Sequence, residues 1–294
     1  MQVIRSISEL QARADAVRAG GGRLALVPTM GALHRGHLSL ISVARERADL
    51  VCVSIFVNPT QFDDPGDLAA YPRTWESDLE ACQAAGVDVL FAPTAREMYP
   101  DAADTFVEVS ELSKPLCGAT RPGHFRGVTT VVAKLLLAAK PHVAVFGAKD
   151  FQQLALIRRM VRDLNIDVEI VGGPTVREPD GLALSSRNLR LDREGRAQAV
   201  VLSRALAAAE RAVGAGECEA EAIRRLARAE LGKAPRARID YLELRDPDSL
   251  ALAPDRLVGP TLLALAVFIE PPERERGSSD AVRLIDNRVL QPGV

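Results

Sequence analysis

The stretch Pro28-Thr29-Met30-Gly31-Ala32-Leu33-His34-Arg35-Gly36-His37 lies where an apolar run ends and a helical pattern begins. Before it, Arg23-Leu24-Ala25-Leu26-Val27-Pro28 is short, aliphatic and closed by proline, which suits a buried parallel strand rather than a helix. Gly31 and Gly36 allow a tight turn, and His37-Leu38-Ser39-Leu40-Ile41 then opens a helix with apolar positions at helical spacing. In such a strand-turn-helix unit the free backbone N–H groups and the positive end of the helix dipole face the carboxyl edge of the sheet, where an anion binds favourably. If the helix reaches back to His34, the spacing of three sets both imidazoles on one face, able to touch the same phosphate. Donation to a phosphate oxygen gains most as charge builds there, so the pair suits attack at phosphorus. Taken alone, a His-x-x-His pair also fits plain surface chemistry or part of a metal site; the strand before it and the glycines around it favour the nucleotide reading.

A second element, Gly181-Leu182-Ala183-Leu184-Ser185-Ser186-Arg187-Asn188, is a small, hydroxyl-rich loop carrying a cation, of a kind that closes over a triphosphate. HxGH early in an α/β domain followed by Ser-Ser-Arg at its end resembles the paired HIGH and KMSKS signatures of the nucleotidyl-transferring class I adenylate-forming enzymes. Between them lie Phe56-Val57-Asn58-Pro59-Thr60-Gln61-Phe62, Tyr71-Pro72-Arg73-Thr74, Arg121-Pro122-Gly123-His124-Phe125-Arg126-Gly127-Val128 and Phe146-Gly147-Ala148-Lys149-Asp150-Phe151-Gln152-Gln153-Leu154. With PTMGALHRGH and LSSRN, this set resembles the pantothenate synthetase family, the pantoate–β-alanine ligases. The likeness runs from the first residues to Arg283-Leu284-Ile285-Asp286-Asn287 near the C-terminus.

At 294 residues the chain can hold one large or two modest domains and bury a sizeable core. It is 47% hydrophobic and 26% charged with a net charge of −2, which fits a soluble enzyme and lacks the basic excess of a nucleic-acid binder. No run approaches the roughly 18 apolar residues that span a membrane, and Met1-Gln2-Val3-Ile4-Arg5-Ser6-Ile7 lacks a signal-peptide apolar region, so a cytoplasmic location is expected. Cys52, Cys82, Cys117 and Cys218 are widely separated, suggesting neither a zinc site nor a disulfide framework; Cys52 reads as a small core residue. Arg158-Arg159 and Arg224-Arg225 read as solvated helix faces.

Along the chain, residues 37–47 supply a helical crossover to a second buried strand at 49–57, completing a βαβ unit. A polar loop at 58–73 precedes a helix at 74–85 and a strand at 87–91. Further alternation follows: helix 128–139, strand 143–146, helix 150–164 and strand 168–171. The expected fold is α/β, a doubly wound, mostly parallel Rossmann-like sheet over residues 1–185, which the resemblance implies binds ATP and pantoate. Residues 186–294 read as a smaller α+β C-terminal domain that closes over the active site, with two helical stretches split by Gly214-Ala215-Gly216 and strand-like runs at 239–244 and 262–269. The charged, turn-forming segment 270–279 reads as a mobile loop and, against the family pattern, an insertion.

The resemblance implies an ATP-dependent reaction in two steps. Pantoate carboxylate attacks the α-phosphorus of ATP to give pantoyl adenylate and pyrophosphate, and the amine of β-alanine then displaces AMP to form pantothenate. It implies that His34 and His37 contact the phosphates, with His37 as the proton donor, and that Lys149 partners the α-phosphate. Ser185, Ser186 and Arg187 are implied as the pyrophosphate clamp, and Pro28, Thr29, Met30, Gly31, Gly147, Asp150, Val176 and Leu184 as the nucleotide lining. Gln61 and Gln153 match the family's pantoate contacts, Arg121 approaches the acid or nucleotide side, and Asn58 either positions loops near the phosphates or caps a turn. Mg²⁺ is expected with ATP. Asp78 is a weak candidate to touch it, and Ser77 stands where a second acidic residue is expected. Leu184 replaces a family methionine at similar apolar volume. A homodimer is implied by analogy. The rival readings are an adenylyltransferase of the same superfamily, a non-enzymatic nucleotide-binding relative, and a metalloenzyme that adds His124 and His142 to the histidine pair.

Overall fold

The computed structural model describes residues 1–62, 65–272 and 281–293. Its chain divides into two compact units, Met1–Ala148 with Gln152–Pro174, and Lys149–Phe151 with Thr175–Val294. The first unit is built on six strands, β1 (Gln2–Ile4), β2 (Leu24–Thr29), β3 (Leu50–Ile55), β4 (Val89–Phe91), β5 (Val143–Gly147) and β6 (Glu169–Gly173). They form one parallel sheet in the order β1-β4-β3-β2-β5-β6. β2 and β3 are in register from Leu24↔Leu50 to Thr29↔Ile55, and their near-continuous burial explains why they read as unbroken apolar runs. The helix Arg35–Arg45 lays Leu40, Ile41 and Ala44 on Ala25, Val27, Val51 and Val53. Cys52 is fully buried in this sheet, and burial pushes its thiol up to about 12; all four cysteines are free.

From β2 the chain builds β3 and β4 to one side, then crosses to add β5 and β6 on the other. The order reverses between β2 and β5, and the crevice outside the carboxyl ends at such a switch point is where open α/β sheets bind ligands. The β2 end is the Pro28–His37 stretch, and β5 ends at Gly147.

Several boundaries differ from expectation. Strand β1 and the helix Ile7–Ala19 lie ahead of the first expected element; Ser6 caps that helix by accepting from Glu9 N at 3.2 Å, a Ser-x-x-Glu signal visible in the sequence. The expected loop at 58–73 contains a 3₁₀ turn, Pro59–Gln61, and a short helix, Pro65–Ala69. The helix expected at 128 starts at His124, just after Gly123 in the left-handed region (φ 87°).

In the second unit, helices Arg193–Ala199, Val201–Gly214 and Ala220–Leu231 accompany the antiparallel sheet β7 (Ala237–Arg245), β8 (Thr261–Ile269) and β9 (Val282–Leu290), in that order. The first expected helical stretch is thus two helices, the shorter capped by Asp192, which accepts from Gly195 N at 2.6 Å. β9 adds to the expected strands; Val282, Leu284 and Asp286 alternate in it as buried positions with a strand-like period of two. The division falls at Pro174 rather than at 185, because Leu182 belongs to the second core and Arg177 pairs with Asp286 of β9. Residues 273–280, which hold most of the expected mobile loop, lie outside the described residues.

At the amino ends of β2 and β5, His142 N donates to Leu24 O (2.8 Å) and Leu24 N donates to His142 Nδ1 (3.0 Å). The ring must be neutral at Nδ1 to accept. Burial, helped by Arg18 and Arg23 and opposed by Asp167 and Asp49, holds its pKa below the ordinary 6.5. Below about pH 6.5 the unfolded chain therefore binds more protons than the folded one, so this contribution is complete above that value and is lost as pH falls through the lowered folded pKa. We expect His142→Asn to flatten the slope of the thermal midpoint as pH falls below about 6.5. Parallel slopes in variant and wild type would contradict this.

Candidate active site

The loop after β2 is tied down by one carboxylate. Thr29 Oγ1 donates to Ser54 O (2.7 Å) and accepts from Gly31 N (3.2 Å), after which Gly31 (φ 82°) and Ala32 (φ 50°) both take left-handed backbone. That turn aims successive N–H groups inward: Asp78 Oδ2 accepts from Ala32 N at 2.9 Å and Oδ1 from Leu33 N at 2.7 Å. Thr74 Oγ1 completes the set at 3.1 Å from Oδ2, and Asp78 is only 2% exposed. A Cβ on Gly31 would lie 2.9 Å from Asp78 Oδ2 and 3.2 Å from Ile55 Cγ2, so both the backbone angle and the space require glycine.

This anchored turn delivers His34 as the N-cap of the helix Arg35–Arg45. His34 Nδ1 accepts from Gly36 N (3.1 Å), and His37 Nδ1 accepts from His34 N (3.3 Å), a reciprocal capping box made by two imidazoles. Each neutral ring thereby carries its proton on Nε2. The rings face one another with centroids 4.1 Å apart and planes at 33°, so the expected pairing on one face is present. Two imidazole donors thus sit at the positive end of a helix on the carboxyl edge of the sheet.

A second group surrounds Gln61. Its side chain donates from Nε2 to Met30 Sδ (2.8 Å) and accepts from Asn58 Nδ2 (3.2 Å). Its carbonyl accepts from Arg121 Nη2 (3.1 Å) and from His124 Nδ1 (2.8 Å). Asn58 is 1% exposed and caps the turn Pro59–Gln61 by accepting from Thr60 N at 3.3 Å. Arg121 likewise holds the Gln61 backbone and lies 3.3 Å from His124 Nε2. Gln153 is half-buried on the helix Phe151–Asp163, while its neighbour Gln152 is buried and fastens the 112–117 segment through Cys117 N, Leu112 O and Pro115 O at 3.0, 3.0 and 2.7 Å.

In the second unit, Leu184 N donates to Val176 O (2.9 Å) and Gly181 turns at φ 94°, so residues 176–184 fold back on themselves. Ser185 then caps the 3₁₀ helix Ser186–Arg190 by accepting from Arg187 N at 3.3 Å. Lys149, Ser185 and Arg187 line one small cavity with Asn188 and Arg283, so three of the residues assigned to phosphates share a wall. Lys149 Nζ lies 3.8 Å from Asp150 Oδ2, and Asn287 Nδ2 donates to Lys149 O at 2.8 Å. Arg177 grips the buried Asp286 with two bonds of 2.7 and 2.9 Å, and this hydrogen-bonded partner raises the Arg177 pKa further. Sequence reasoning assigns no role to Arg177, Asp286, Asn287 or Tyr99; a charged pair separated by 109 residues leaves no local signal.

A family model described as pantoate-beta-alanine ligase matches residues 2–289. The chain belongs to that family. It is 54% identical over 290 residues to the pantothenate synthetase of Geobacter sp. (strain M21), covering 99% of both chains. The crystal structure of the Thermus thermophilus pantothenate synthetase is 45% identical with a TM-score of 0.90, over 99% of this chain and 100% of that one. The pantoate-beta-alanine ligase of Francisella tularensis, solved with beta-gamma ATP and beta-alanine, is 33% identical with a TM-score of 0.78, over 100% of both chains. The chain is therefore an enzyme of the ligase class, and the match over nearly its whole length favours that reading over an adenylyltransferase.

The Asp78 oxygens receive two N–H groups and a hydroxyl, so we read this acid as holding the turn rather than as the expected contact with Mg²⁺. Among the described residues no group of three or more His, Cys, Asp or Glu is arranged to hold a metal ion. Asp78→Ala leaves two inward N–H groups unpaired, at about 1–3 kcal/mol each. We expect a lowered unfolding midpoint in calorimetry and slower turnover, with the Mg²⁺ concentration giving half-maximal rate unchanged. A large rise in that concentration with no loss of stability would return Asp78 to the metal.

Proposed function

We propose that the chain condenses pantoate with β-alanine at the expense of ATP in two steps. A carboxylate is a poor acyl donor, so one pantoate oxygen first bonds to the α-phosphorus as the bond to pyrophosphate breaks. The β-alanine nitrogen then bonds to the activated carbonyl carbon, AMP leaves with the bridging oxygen, and the amine proton passes to solvent. No covalent enzyme intermediate is required, since alignment of reactants supplies on the order of 7–11 kcal/mol in favourable cases.

The observation that carries this reading is the His34–His37 pair, its Nε2 donors set by the capping box at the positive end of a helix. We assign both rings to the phosphates, with His37 as proton donor. Lys149, Ser185, Ser186 and Arg187 supply charge and hydroxyl donors to the α-phosphate and pyrophosphate. Pro28, Thr29, Met30, Gly31, Gly147, Asp150, Val176 and Leu184 border the nucleotide. Gln61 and Gln153 bind pantoate, and Asn58 and Arg121 act by holding Gln61. Mg²⁺ entering with ATP would neutralise phosphate charge, with Asp78 left to hold the loop after β2. Family likeness extends the proposal to a homodimer in the cytoplasm. No helix among the described residues is long and apolar enough to cross a membrane.

Chromatography of complete and single-omission mixtures tests the reaction. AMP and pyrophosphate should form in step with pantothenate, and a nucleotidylated product in place of AMP would favour the adenylyltransferase. His37→Ala should slow adenylation by about 10²–10⁴ in single turnover without altering the fold; a variant keeping half the wild-type rate would remove His37 from the chemistry. Gln153→Ala should weaken pantoate about 5- to 100-fold and leave ATP affinity nearly unchanged in calorimetry. Lost ATP binding with intact pantoate binding would move Gln153 to the nucleotide.

A further inference from the structure

Behind Gln61 lies a chain of hydrogen bonds whose direction is fixed at Asn58. Tyr99 caps the short helix Ala95–Met98 and sends its hydroxyl to Asn58 Oδ1 at 3.0 Å. The same oxygen accepts from Thr60 Oγ1 at 3.0 Å and Thr60 N at 3.3 Å. Asn58 Nδ2 gives its two hydrogens to Gly127 O at 3.1 Å and Gln61 Oε1 at 3.2 Å. The helix His124–Ala139 is pressed close enough to serve, since a Cβ on Gly127 would fall 2.3 Å from Thr60 O.

These bonds leave Asn58 one orientation. Turned over, its NH₂ would face the Thr60 N–H and its oxygen would face the Gly127 carbonyl, exchanging attraction for repulsion on both sides. That order passes to Gln61: with Oε1 drawn to Asn58, its NH₂ lies on the Met30 side, 2.8 Å from Sδ. We infer that Tyr99 is a positioning residue for substrate, which braces Asn58 in this orientation and so helps to hold the Gln61 amide with its N–H groups towards the loop after β2. The inference rests on the reading of Gln61 as a pantoate contact. It deepens that reading by turning the Gln61 NH₂ to the loop side, matched to a carboxylate or hydroxyl oxygen that accepts. Burial raises the Tyr99 pKa above its ordinary 10, opposed by its bonds to Thr60 and Asn58.

A double-mutant cycle on the full-length enzyme tests this. Tyr99→Phe should raise the KM for pantoate about 3- to 10-fold, with the KM for ATP and the unfolding midpoint little changed. In a Gln61→Ala background the same change should add nothing to the pantoate KM. An equal rise in both backgrounds, or none in the wild-type background, would overturn the positioning role and leave Gln61 as a pantoate contact. If Gln61→Ala itself left the pantoate KM unchanged, the contact and the inference would fall together. Should Tyr99→Phe not fold, Thr60→Val removes the other hydroxyl from Asn58 Oδ1 and is read in the same cycle, with the same outcomes.

Discussion

The carboxylate of Asp78, buried at the start of the helix Trp75–Ala84, receives the N–H groups of Ala32 and Leu33 and the hydroxyl of Thr74. Without it, a turn with two consecutive left-handed residues would hold inward N–H groups with no acceptor, an arrangement a folded protein does not tolerate cheaply. The turn is what brings His34 to the N-cap, and the N-cap is what fixes both imidazole tautomers. One acid therefore sets the geometry of the two rings to which the phosphate chemistry is assigned, although it touches neither.

The same arrangement recurs around Gln61 and Lys149. Gln61 is gripped through its carbonyl by Arg121 and His124 and through its amide by Asn58, so few of its degrees of freedom remain. In the second unit, adjacent residues of β9 divide the work: Asp286 takes Arg177, and Asn287 takes the Lys149 carbonyl. Removing one partner from a pair as buried as Arg177–Asp286 leaves an uncompensated charge, at about 3–5 kcal/mol. The support for each side chain assigned to the chemistry is thus a polar contact from a distant part of the sequence.

That distance explains which features are legible in the sequence and which are not. The parallel sheet is legible because β2, β3 and β5 are buried on both faces and read as aliphatic runs, and the histidine pair because its spacing and glycines are local. Asp78 stands out for its charge and reads as a metal contact, since nothing in its neighbourhood reveals that its oxygens face N–H groups 45 and 46 residues away. Gln152 looks no different from Gln153, because burial on a helix face depends on what packs there. β9 escapes because its half-buried Arg283 and Ile285 dilute an alternation that its pairing with β8 makes plain. Local chemistry is readable, and the contacts that aim it are not.

The proposed reaction turns on one event, attack of a pantoate carboxylate oxygen on the α-phosphorus. Pantoate labelled with ¹⁸O in both carboxylate oxygens tests that event directly, by mass spectrometry of the nucleotide after turnover with unlabelled ATP and β-alanine. The account predicts one ¹⁸O in each AMP released and one retained in the amide carbonyl of pantothenate. Label in inorganic phosphate accompanied by ADP, or AMP free of label, would contradict it.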